Sequence, residues 1–128
     1  MNGPDKRCLL DTNTIVFLLQ GEEKVLHLLD KAEWIGISII SQIEFLAFTG
    51  LTEKDRQPFK EFLERVDVVD LRSHKGLIDL IIEIRKRYSF KLPDAIIVGS
   101  AIQNSASLFT SDKKLKVVTE IEIVDFTG

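Results

Sequence analysis

The chain has 128 residues, 45% of them apolar, and a formal net charge of −3. That length suits one domain burying roughly two thirds of its unfolded surface, so residues 1–128 are expected to form a single domain whose core needs no staples. No membrane span, secretory signal or internal disulfide is expected: the apolar runs fall far short of the ~20 residues a spanning helix needs, the opening MNGPDKR does not read as a secretory signal, and a single cysteine, Cys8, cannot make an internal disulfide. A reducing cytoplasm is the expected setting. The negative total argues at first against a polyanionic partner, whose binding is driven by phosphate neutralisation. If four of the 20 acids surround a cation, however, the remaining 16 face 17 Lys and Arg, and distribution then outweighs the total.

In chain order, RCLL before a polar break predicts a buried strand ending at Asp11, with Cys8 as inert packing. EEKVLHLLDKA carries Val25, Leu28, Leu29 and Ala32 at helical spacing. WIGISII predicts a second strand, with Trp34 at its start fitted for packing or an interface. It runs into SQIEFLAFTG, where Ser41 and Glu44 have the S-x-x-E spacing of a capping box and Gly50 is a stop signal. RQPFKEFLERV places Phe59, Phe62, Leu63 and Val66 along one helical face, and VDVVDL predicts a third strand. HKGLIDLIIEIRKRY aligns Leu77, Ile81, Ile84 and Tyr88, and LPDAIIVGSAIQNS opens a further helix with Pro93 in its first turn and Gly99 set for close helix–sheet contact. SLFT and IEIVDF are the last two strands, joined by the charged link SDKKLKVVTE.

Strands alternating with helices define an α/β fold with a mainly parallel sheet, and such sheets bind ligands at the carboxyl ends of their strands. Asp11 and Asp112 follow strands, Glu44 falls in the first turn of a helix leaving a strand, and Asp94 opens a helix that leads into one. All four therefore belong to the carboxyl edge. Each has a structural role open to it as a helix cap, capping-box partner or turn residue, but four acids at one edge exceed what capping requires. Carboxylates brought within a few ångströms either keep protons or recruit a cation. An all-oxygen set suits one or two Mg²⁺ or Mn²⁺ ions, whereas zinc is disfavoured because His27 and His74 lie on separate predicted helices without ligand-like companions.

LLDTNTIVFLL, SIISQIEFLAF, KLPDAIIVGSAI and LFTSDKKL resemble, in order and spacing, the acidic motifs of PIN-domain ribonucleases, above all the VapC-type toxins of prokaryotic toxin–antitoxin pairs. The resemblance implies a three-layer α/β/α sandwich with a five-stranded sheet ordered 3-2-1-4-5. It also implies a metal-dependent endoribonuclease that hydrolyses RNA phosphodiester bonds, a cognate antitoxin and a homodimer. Asp11, Glu44, Asp94 and Asp112 map onto the family's acidic positions, Asn13 and Thr110 onto supporting polar ones. Asp11 and Asp94 are expected as principal metal ligands, Glu44 and Asp112 as direct or water-mediated ones. Basic residues flank them: Arg85, Lys86, Arg87 and Lys91 precede Asp94, and Lys113, Lys114 and Lys116 follow Asp112. Arg87, Lys91 and Lys113 are the candidates for RNA contact, with a solvated surface as the alternative. Tyr88 and Phe90 read as core rather than as base-stacking platforms. Two rivals remain: a noncatalytic nucleic-acid-binding module on the same fold, and an aspartyl-phosphate phosphohydrolase, which would need a D-x-D motif where the chain has Asp11-Thr12-Asn13.

Overall fold

The computed structural model describes residues 6–127; residues 1–5, which include most of the segment expected to lack a secretory signal, and residue 128 lie outside the described residues. Five strands form one sheet in the order β3-β2-β1-β4-β5. They are β1 (Arg7–Leu10), β2 (Trp34–Ser38), β3 (Asp67–Val69), β4 (Ser107–Phe109) and β5 (Ile123–Val124). All four pairings are parallel, with Leu9 of central β1 facing Gly36 on one side and Leu108 on the other. Parallel neighbours require crossovers, and helices supply them.

The period of two along β1 sends neighbouring side chains into different layers. Cys8 and Leu10 join Ile37 and Phe109 beneath the first four helices, α1 (Thr12–Leu19), α2 (Glu23–Leu29), α3 (Ile39–Leu46) and α4 (Glu53–Leu63), which contribute Ile15, Val25, Phe45 and Phe59. Leu9 and Leu108 face the other layer, where α5 (Leu77–Tyr88) and α6 (Leu92–Gln103) contribute Leu77, Ile81, Ile84 and Val98. Helix α6 is buried at every residue from Ala95 to Ala101, so it is apolar nearly all round instead of striped. The result is the three-layer sandwich expected from the resemblance. Tyr88 and Phe90 stack on each other with ring centroids 5.1 Å apart and pack against this second core, as expected. Trp34 is half-buried, its indole N–H donating to Asp67 across the sheet and its ring covered by the Arg7 guanidinium. Among the described residues, no helix is long and apolar enough to cross a membrane.

Three local expectations are corrected. The capping box at Ser41 and Glu44 does not form, because β2 stops at Ser38, whose hydroxyl accepts from the Ile40 amide at 3.2 Å. The helix therefore starts earlier, and Glu44 lies in its second turn, while Ser41 is buried with no partner for its hydroxyl among the described residues. A reciprocal box is instead made by Thr52 and Asp55 at the start of α4. Gly99 serves a helix–helix contact: a Cβ there would stand 2.9 Å from Ile81 Cγ1 of α5. Finally, IEIVDF yields only a two-residue β5, because Asp125 turns back to accept from Thr127 and to pair with Lys116 at 2.7 Å. Phe126 then leaves the sheet to meet Phe17 edge-on. The charged link before it contains a 3₁₀ turn, Lys113–Val117.

Candidate active site

Asp11 is delivered by the end of the central strand, and its amide still holds the sheet by donating to the Phe109 carbonyl at 3.2 Å. Its side chain caps α1, accepting from the Thr14 amide at 2.9 Å, so the capping role and a place at the edge coexist in one residue. Asp11 is only 6% exposed. Thr14 Oγ1 lies 2.7 Å from both Asp11 Oδ1 and the Phe109 carbonyl, and its single proton serves one of them at a time. Thr110 donates its hydroxyl to the other oxygen of Asp11 and accepts from the Asp112 amide at 3.0 Å, tying the two acids through one side chain. Burial pushes the Asp11 carboxyl above its ordinary value, against the lowering effect of the Thr110 and Thr14 hydrogen bonds; the nearby Asp112 charge adds to the rise.

Asp94 stands in the first turn of α6, behind Pro93, where the positive end of the helix favours a carboxylate. It comes from the opposite direction to Asp112, yet both oxygens of interest lie 3.8 Å from the Lys114 ammonium. Asp112 is oriented by accepting from the Lys114 amide at 3.0 Å. Glu44 is exposed on α3 and accepts from the Thr12 hydroxyl at 2.7 Å, which ties it to the residue following Asp11. Beside it a cavity of about 540 Å³ opens between α1, α3 and the start of α4, bordered by Asn13, Val16, Phe48, Leu51 and Lys54.

The predicted residues thus fall into groups. Asp11, Thr110 and Asp112 are joined by hydrogen bonds, Asp94 joins them through Lys114, and Glu44 adjoins them through Thr12. Asn13 is exposed toward the cavity, and among the described residues the hydrogen bonds to Asp11 come from Thr14 and Thr110. Lys91 caps α6 three residues before Asp94, and Lys113 opens the 3₁₀ turn after Asp112; both are exposed. Arg87 is engaged within the chain by Glu83 at 3.1 Å and by Glu120, which also receives the Tyr88 hydroxyl. Thr12 and Thr14 were not among the sequence candidates, and Lys114 was named only with the basic residues that flank the acids; the cues were the small polar residues Thr12-Asn13-Thr14 after Asp11 and a doubled lysine after Asp112. Among the described residues, no three Asp, Glu, His or Cys side chains stand together as a ready cage for an ion. The donor chemistry nevertheless suits a hard cation, being all oxygen, and Asp94 and Asp112 already share one cationic group between them.

An all-parallel five-stranded sandwich with carboxylates gathered along one sheet edge defines an α/β protein with an acidic edge site. The PIN domain family model matches residues 8–121, and the chain belongs to that family. Solved structures share the fold. VapBC2 from Rickettsia felis, bound to a DNA fragment from its promoter, is 22% identical with a TM-score of 0.76, over 91% of this chain and 96% of that one. A toxin–antitoxin complex from Klebsiella pneumoniae is 24% identical with a TM-score of 0.73, over 91% and 99%. DNA-bound VapBC from Salmonella typhimurium is 19% identical with a TM-score of 0.76, over 94% and 98%. No curated protein sequence matches the chain.

Proposed function

We propose that this chain is a divalent-metal-dependent endoribonuclease acting as the toxin of a toxin–antitoxin pair. The observation that carries it is the acid group at the carboxyl edge, Asp11 with Asp112 through Thr110 and Asp94 with Asp112 through Lys114, in a chain of the PIN family. Asp11 and Asp94 are the principal ligands of one or two Mg²⁺ or Mn²⁺ ions, with Asp112 and Glu44 completing the set directly or through water. When bound, such an ion polarises the phosphodiester, lowers the pKa of a water and steadies the leaving oxygen. The chain's own part is orientation. Thr14 and Thr110 hold both oxygens of Asp11, Thr110 fixes the backbone before Asp112, and Thr12 holds Glu44. Lys91 and Lys113, exposed on either side of the acids, attract the RNA backbone. Arg87 is withdrawn from that role, because two carboxylates already claim it.

The titles of the structural neighbours describe toxin–antitoxin complexes, and an antitoxin is the proposed partner here. The cavity beside Glu44, with Phe48 66% exposed at its rim, offers it an apolar surface from which it would cover the acids. A homodimer and a cytoplasmic location belong to the same proposal. The test is cleavage of a mixed structured RNA pool by purified protein with Mg²⁺ or Mn²⁺, beside folded Asp11→Asn and Asp94→Asn proteins. We expect cutting by the wild type, its loss with EDTA, and a fall of at least about a hundredfold in both variants. RNA binding without cutting would support the noncatalytic module instead, and equal cutting by all three proteins would reveal a contaminant.

A further inference from the structure

We infer that Lys114 is the built-in counter-ion of the acid site, and that a divalent ion must displace its ammonium to bind, so that this lysine sets the metal concentration at which the site fills. The inference rests on the metal-dependent reading above and adds a residue that works against it. Lys114 sits two residues after Asp112, and its backbone amide donates to Asp112 Oδ1 at 3.0 Å. The 3₁₀ turn then swings the side chain back across the edge, where Nζ lies 3.8 Å from Asp94 Oδ2 and 3.8 Å from Asp112 Oδ2. These two acids come from different elements, one from the start of α6 and one from the loop after β4. A cation between them therefore balances carboxylates whose mutual repulsion would otherwise oppose their approach.

The pairing is weak enough to be exchanged. Lys114 is 65% exposed, and its carboxylate partners are 22% and 29% exposed, so water screens both contacts and the ammonium can leave on its flexible stem. One monovalent, non-directional charge thus occupies oxygens that a divalent ion would hold more strongly. Lys113, adjacent and exposed, removes the same charge from the same turn when substituted, but its ammonium is not one of those placed on Asp94 or Asp112.

The experiment is Mn²⁺ titration by calorimetry of the full chain and its Lys114→Met, Lys114→Arg and Lys113→Met variants, without RNA. Methionine keeps an unbranched side chain, and the hydrogen bond from the backbone amide of residue 114 to Asp112 is unaffected, so folding is preserved; circular dichroism checks it. We expect Lys114→Met to bind Mn²⁺ roughly three- to tenfold more tightly, the scale of two exposed ion pairs, with Lys114→Arg near wild type and Lys113→Met changed less than twofold. Unchanged or weaker binding in Lys114→Met would overturn the inference while leaving the metal reading intact. Equal tightening in Lys113→Met would overturn it in favour of a general field effect. Failure of every protein to bind Mn²⁺ would overturn the metal reading itself, and this inference with it.

Discussion

Asp11 carries the main conflict at the residue scale. A nearly buried carboxylate whose pKa is raised by burial binds its proton more tightly in the folded chain than in the unfolded one. Its contribution to stability is therefore fully present below the unfolded value of about 3.8 and is lost as pH rises through the raised folded value. Losing that proton therefore costs the metal-free fold stability. Asp11→Asn should accordingly melt higher than wild type in EDTA at pH 7, by on the order of 1 kcal/mol or a few degrees, and the gap should narrow as pH is lowered toward 4. A variant that melted lower at neutral pH would show that the Thr14 and Thr110 hydrogen bonds outweigh the buried charge. Placement of Asp11 at a strand end was legible because an apolar run stops there. The hydroxyl groups that hold it were not, since Thr12 and Thr14 look like any polar residues at the start of a helix. Lys114 was legible only as one of several basic residues, because its pairing with Asp94, 20 residues earlier in the sequence, depends on how α6 meets β4.

At the scale of elements, periodicity located most of the structure. Leu77, Ile81 and Ile84 line the buried face of α5, and the alternation along RCLL divides the two cores as a central strand must. Boundaries were less legible where neighbouring residues fit two states. Ile39 and Ile40 suit a strand as well as a helix, so the choice between Ser38 and Ser41 as cap was decided by where β2 stops pairing with β3, at Ser38 and Val69. Gly99 shows the same limit: its smallness was visible, but the surface it meets was not. Because α5 crosses at this point with Ile81 Cγ1 only 2.9 Å from a hypothetical Cβ, Gly99→Ala has to push the helices apart or shift the Ile81 rotamer. The helix-propensity gain of alanine is about 1 kcal/mol, whereas overpacking costs typically 1–3 kcal/mol. We expect a net loss of roughly 1 kcal/mol in denaturant unfolding, and no such loss when Gly99→Ala is made in an Ile81→Ala background, where the opposing Cγ1 is gone. An additive double variant would place the strain elsewhere.

At the scale of the whole molecule, the acids all come from one chain, while α5 turns an apolar strip outward. Ile78 and Ile82, one helical turn apart, are 51% and 47% exposed, and Ile78 shares a shallow hollow with Leu71, itself 38% exposed. Their neighbours Leu77 and Ile81 point into the core, so the strip is not needed for folding. A two-fold interface uses the same patch on both subunits, which counts each buried side chain twice. Light scattering should therefore find twice the 14.5 kDa chain mass, and Ile78→Asp with Ile82→Asp should weaken the dimer by about a hundredfold or more, given the cost of burying like charges against each other and the apolar area lost. Circular dichroism should be unchanged, since both positions are solvent-facing within the protomer. Each monomer of that variant still holds Asp11, Glu44, Asp94 and Asp112, so cleavage per chain should survive at saturating RNA, with any loss confined to the RNA concentration required. Loss of cutting at saturation would mean that the second subunit supplies part of the site, and a wild type already monomeric would assign the α5 strip to a different partner.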